Sequence, residues 1–174
     1  MSLSGLKVKS IARKIERLLK KKKQESSLQI SQSIKTVGIL VNENSNFNFE
    51  KLKKLQRNIA SGSDNFSILT CKTTIDSANE FRGVVLTEKD FSWNGSLKSN
   101  DVNNFLNIEF DMLIDYTKSE TVYKKYLVAK SKAKFKVGYA NVDERLYDLM
   151  LAVEDDVVMF NTELLRYLKI LKKL

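Results

Sequence analysis

The sequence predicts an α/β fold, a Rossmann-like three-layer sandwich with a mostly parallel sheet and an N-terminal basic helix. Three observations predict it. Five short apolar runs, near 36–42, 65–71, 82–87, 109–115 and 134–139, alternate with stretches of helical periodicity. The runs Val37–Val41 and Met112–Ile114 are nearly continuous, as in strands covered on both faces. The first 23 residues join an apolar stripe to a dense basic face.

The elements follow in chain order. On a 3.6-residue helix Val8, Ile11, Ala12, Ile15, Leu18 and Leu19 share about one third of the circumference, and lysines and arginines hold the rest. Ser4 is the expected N-cap. Lys22 intrudes on the apolar side, so the stripe ends by Leu19. ESSLQISQS then reads as a polar connection. The division that results is a basic helix at 1–24, a linker at 25–35 and one α/β domain at 36–174.

Within the domain, the first strand leads to a helix marked by Phe49, Leu52, Leu55 and Ile59. Asn46 or Asn48 caps it and SGSD at 61–64 ends it. NFSILTCKT and FRGVVLT are the next strands, which makes a β-α-β start and calls for a parallel crossover. Phe91 and Trp93 suggest a short edge strand before an Asn94-Gly95 turn. Ser99 or Asn100 caps a short helix with Val102, Phe105 and Leu106. FDMLIDYT is a second central strand, and a helix with Val122, Tyr126 and Ala129 on one side follows. KFKVGYA is a further strand, and LYDLMLAV is too short for periodicity to choose between strand and helix. Asn161 is the expected cap of a last helix whose leucines are too many for a thin stripe.

Composition narrows the chemistry. The 174 residues have 43% apolar and 29% charged content, ordinary for one globular domain with a real core. With no histidine, His triads, His metal sites and HExxH chemistry are excluded. The single Cys71 supplies neither a disulfide nor a Cys-rich zinc site, and its apolar run suggests a buried, inert thiol. No metal site and no cofactor is expected, and neither GxGxxG nor GxxxxGK occurs. No run reaches the roughly 20 apolar residues of a membrane span. A cytoplasmic location is expected.

Charge is the strongest functional signal. Residues 1–35 hold ten Lys and Arg against Glu16 and Glu25, a net of +8 in a chain whose total is +9. Such a local device suits an acidic partner. The apolar stripe can dock on the domain's own core. The basic face, Lys7, Lys9, Arg13, Lys14, Arg17, Lys20, Lys21, Lys22 and Lys23, can instead contact RNA, at the ribosome or elsewhere, through phosphates. The helix can also lie on an anionic membrane surface or in an acidic protein groove. It carries no Trp, Phe or Tyr, which weakens the membrane reading and removes base stacking. A non-enzymatic RNA-contacting accessory protein is the expected function. Deleting residues 1–24 is expected to abolish binding and leave the domain folded.

A second site class lies at the strand ends, where open parallel sheets bind ligands. Asn42, Glu43, Asn44, Ser45 and Asn46 follow the first strand. Asp115, Tyr116, Thr117, Lys118 and Ser119 follow FDMLI. Glu43 and Asp115 would be the acid–base or metal-binding pair of an enzyme, or of a nucleotide or sugar-phosphate binder. Asp, Ser and Thr are equally ordinary helix-entry residues.

The stretch FDMLIDYTKSE, with AKSKAKFKVGYA and Tyr147-Asp148-Leu149-Met150, resembles an uncharacterised single-domain family of Bacteroidota over most of the chain. The resemblance implies no activity. Ile114, Asp115, Lys136, Val137 and Gly138 are similar, more faintly, to the N-terminal half of heptosyltransferase-like glycosyltransferases. That likeness implies a Rossmann-like topology. Glu43-Asn44-Ser45-Asn46 stands where those enzymes have Gly-Asp, and the chain is too short for their second domain, so transferase activity is not implied.

Overall fold

The computed structural model describes residues 3–25, 33–42, 49–59, 65–72, 83–118, 121–140, 142–154 and 156–174. Six strands, β1 (Val37–Asn42), β2 (Phe66–Cys71), β3 (Val84–Leu86), β4 (Met112–Asp115), β5 (Lys136–Tyr139) and β6 (Leu149–Leu151), form one sheet. Their order is β3-β2-β1-β4-β5-β6, and every adjacent pair is parallel. Among the described residues five α-helices flank it: α1 (Leu3–Glu25), α2 (Phe49–Ile59), α3 (Asn100–Asn107), α4 (Val122–Lys130) and α5 (Val157–Ile170). The five predicted strands are all present, and the undecided LYDLMLAV contributes β6.

Alternation along the strands sorts side chains into two cores. Leu40, Leu69 and Leu113 face one layer with Ile11, Val102, Phe105, Leu106, Leu127 and Val128 of α1, α3 and α4. Val37, Ile39, Val41, Met112 and Ile114 face the other with Leu52, Leu55, Phe160, Leu164 and Leu168 of α2 and α5. The sheet is therefore covered on both sides, which explains why its central strands have no polar face.

The basic helix belongs to this architecture. Ile11, Ile15 and Leu19 are at most 9% exposed and lie in the first core, with Leu18 packed beside them. α1 lies against α4 and is pinned at both flanks. Glu16 takes a bidentate pair of hydrogen bonds from Arg145, each 3.0 Å. Ser10 Oγ donates to Asn94 O at 2.6 Å, Lys14 Nζ to Ser96 Oγ at 3.1 Å, and Lys7 Nζ to Glu88 O. A domain cut down to residues 36–174 would expose this part of the core, so the expectation that it folds unaided after loss of 1–24 does not agree with the packing.

Several boundaries shift for physical reasons. Ser4 lies inside α1 rather than before it. Asp156, not Asn161, caps α5, its carboxylate accepting from Val158 N and Met159 N. Asn161 is buried within the helix, where its Oδ1 accepts the Tyr116 hydroxyl at 2.6 Å. The expected edge strand reduces to one antiparallel bridge, Phe91 to Leu97, around a tight turn. Ser99 caps α3 as expected. The proposed caps Asn46 and Asn48, and SGSD at 61–64, lie outside the described residues.

Candidate functional site

The strand order reverses its winding between β1 and β4, and their carboxyl ends are the switch point of a doubly wound sheet. Leu40 stands opposite Asp115 in the register. Beyond it, Tyr116 N donates to Leu40 O at 2.9 Å and Asn42 Nδ2 to Thr117 O at 2.8 Å. The polar ends of the two strands are thus stitched side by side. Glu43, Asn44, Ser45, Asn46 and Ser119 lie outside the described residues.

Asp115 is 4% exposed, and its two oxygens are occupied. Oδ1 accepts Thr117 N at 2.7 Å and Oδ2 accepts the Tyr147 hydroxyl at 2.6 Å. Burial, then the Asp115 charge, push the Tyr147 hydroxyl far above its ordinary pKa, so it stays a donor. Gly138 makes room for that ring: a β-carbon there would come within 2.5 Å of Tyr147 Cε1. Lys124 on α4 faces the same end of the sheet. Burial lowers its pKa, opposed by the nearby Cys71 and Asp115. Cys71 is buried, and desolvation followed by Asp115 pushes its thiol up to about 12.

The remaining predicted ligands divide. Tyr116 is buried under α5 and bonded to Asn161. Lys118 adopts a left-handed φ of 40° and holds its Nζ 4.3 Å from the Tyr139 ring centroid. Thr117 Oγ1 is buried with no hydrogen-bond partner among the described residues. The arrangement holds a loop and orients one carboxylate. Among the described residues no group of three His, Cys, Asp or Glu is placed to hold a metal ion. A cleft of about 780 Å³ opens elsewhere, at the amino ends of β2 and β3, lined by Phe66, Ile68, Val84, Val85, Phe105 and Ile108.

The Tyr147 and Lys124 contributions were not visible in the sequence, because 32 residues separate Tyr147 from Asp115. A Tyr in a Tyr-Asp-Leu-Met run carries no signal of a carboxylate partner.

The second candidate is the outer side of α1. With the stripe turned inward, Lys9, Arg13, Arg17, Lys20 and Lys21 are exposed. Lys7 and Lys14 are half-buried on the turn and α4 side, Lys7 also lying 5.4 Å from the Tyr123 ring. The side chains of Lys22 and Lys23 lie outside the described residues. Within the same layer Lys125 and Lys130 of α4 are half-buried and Lys132 is exposed. Lys14 comes close enough to Lys130 to lower its pKa, after burial. Positive charge therefore accumulates over one layer of the sandwich.

Fold and surface together define a doubly wound α/β domain with a basic amphipathic helix built into one outer layer. The chain belongs to the family of unknown function DUF6913, whose model matches residues 7–171 and so takes in α1. No curated protein and no solved structure matches it.

Proposed function

We propose that this is a non-enzymatic, cytoplasmic accessory protein that contacts RNA, at the ribosome or elsewhere, through the outer face of α1. One observation carries the reading: Ile11, Ile15 and Leu19 of the stripe are buried in the protein's own core, while Lys9, Arg13, Arg17, Lys20 and Lys21 face outward from a packed support. A row of cations held on a packed helix suits a phosphate backbone. Insertion into a bilayer would need Ile11 and Ile15, which are 0% and 5% exposed. Among the described residues no helix is long and apolar enough to cross a membrane.

The test compares full-length protein with R13Q/R17Q/K20Q, against structured RNA and against anionic and neutral vesicles, at low and physiological salt. Wild type should bind RNA with an affinity that falls steeply as salt rises, and the triple variant should bind more weakly with a shallower salt slope. Tight vesicle binding with negligible RNA binding rejects the assignment.

A second reading, a nucleotide or sugar phosphate seated over the ends of β1 and β4, is favoured by the buried Thr117 hydroxyl, which has no hydrogen-bond partner among the described residues. A thermal shift with such ligands at millimolar concentration supports it, and no shift removes it.

A further inference from the structure

The basic helix has no aromatic side chain of its own, but the fold brings one to it. Residues 92–96 form a tight turn: Gly95 N donates to Ser92 O at 2.9 Å and Ser92 N to Ser96 O at 2.8 Å. The turn chemistry is complete without position 93. Gly95 takes the left-handed conformation, with φ 71°, and Asn94 Oδ1 accepts Ser96 N at 3.1 Å. Any residue could occupy the tip. The occupant is Trp93, the chain's only tryptophan, and it is 69% exposed. Among the described residues its ring has no aromatic partner and its indole N–H no acceptor. Phe91, two residues earlier, is buried against Tyr123 and Tyr126. The turn's apolar anchoring is therefore already provided, and Trp93 adds nothing to it.

This turn is seated on α1. A β-carbon on Gly95 would strike Ile11 Cγ1 at 2.8 Å, and Ser10 and Lys14 bond to Asn94 and Ser96. Ser10, Lys14, Arg17 and Lys21 follow one another at i, i+4, i+7 and i+11, which is one line along a helix. Trp93 stands at the Ser10 end of that line. Arg17 and Lys21 lie about 10 and 16 Å further along the axis. Exposed Lys89 and Lys98 precede and follow the turn in the chain. An exposed indole at the head of a cationic row is the arrangement that binds a single strand: the ring stacks on a base and the cations follow the phosphates.

We infer that Trp93 is a base-stacking contact for single-stranded RNA whose backbone runs along the Arg17–Lys21 side of α1. The inference rests on the RNA reading above and makes it specific to unpaired nucleotides.

Because Trp93 is the only indole, its fluorescence reports the contact directly in the full-length protein. The probes are a single-stranded 12-mer RNA, a duplex of the same length, and an abasic 12-mer with the same number of phosphates. Quenching should occur with the single strand and be weak with the other two. W93A should lower single-strand affinity by about 5- to 150-fold, with an unchanged salt slope, and W93F should restore much of it. R17Q/K21Q should reduce the salt slope by about 1.4, the share of two single-strand phosphate contacts. Salt-dependent RNA binding with unchanged fluorescence, and W93A equal to wild type, overturns the stacking inference and leaves the RNA reading standing. Absence of RNA binding by the wild-type protein at low salt overturns both.

Discussion

Replacing Ile11 by alanine tests the central structural claim, that α1 is part of the core. Ile11 is 0% exposed and sits between the turn at Gly95 and the first core cluster. The change removes three carbons, about 2.4 kcal/mol of transfer free energy at roughly 0.8 kcal/mol each. A cavity contribution adds to this, because Ser10 and Lys14 tie the helix to the turn on one flank and Glu16 to Arg145 on the other, which limits collapse. The expected loss is about 3 to 4 kcal/mol. For a domain of this size that lowers Tm by about 6 to 16 °C. Val8, 40% exposed on the same helix, is the control, and Val8→Ala should change stability by no more than about 0.5 kcal/mol. Urea unfolding followed by far-ultraviolet circular dichroism and by Trp93 fluorescence gives both numbers. If Ile11→Ala shifts stability by less than about 1 kcal/mol, indistinguishable from Val8→Ala, the helix is not docked in solution and the reasoning fails.

Other outcomes follow from single contacts. Gly138→Ala places a methyl group against the Tyr147 ring and should cost about 1 to 3 kcal/mol in chemical denaturation, whereas a neutral result would mean the ring moves freely. Tyr147→Phe leaves one oxygen of buried Asp115 without its donor and should cost about 1 to 3 kcal/mol by the same measurement. Burial pushes the pKa of Asp111 up, but Lys134 and the N–H groups of Lys35 and Thr36 outweigh it, so the group is held below its ordinary 3.8. Its contribution is therefore present above the unfolded-state pKa and lost as pH falls through the folded one; Asp111→Asn should flatten the acid side of the stability profile below about pH 4. The Cys71 thiol, raised to about 12, should be inert to a disulfide exchange reagent at pH 8 in the native protein and react at once in urea; rapid native labelling would show the strand end to be open.

The strands were legible because β1 and β4 are apolar on both faces, a pattern that needs no partner to be recognised. β6 was not, since Leu149–Leu151 is three residues long and only its pairing with β5 decides its state. The start of α5 was misplaced because Val157–Phe160 is apolar and conceals the cap at Asp156. The amphipathic pattern of α1 disclosed an apolar stripe but not what covers it, since that depends on α4 more than 100 residues later. The same limit applies to the sites. The place of Asp115 at a strand end was legible, but its bonds to Tyr147 and Thr117 were not, since Tyr147 lies 32 residues away in the chain. The alternation of Phe91 and Trp93 suggests an edge strand, and only the contacts of the turn with Ser10 and Lys14 put Trp93 beside the cations.

The docking of α1 also sets an order of events during synthesis. Within this chain the helix is made before its counterparts, the turn at 91–97 and α4 at 122–130, which follow about 80 to 110 residues later. At 5–20 residues per second, the interval is roughly 5 to 20 s. Throughout it Ile11, Ile15 and Leu19 have no core to enter, and the lysines and arginines around them keep the segment in solution by repelling like chains. A segment made early thus waits for partners made late. The same charges that would face a partner in the finished protein act, before folding, as protection against premature association.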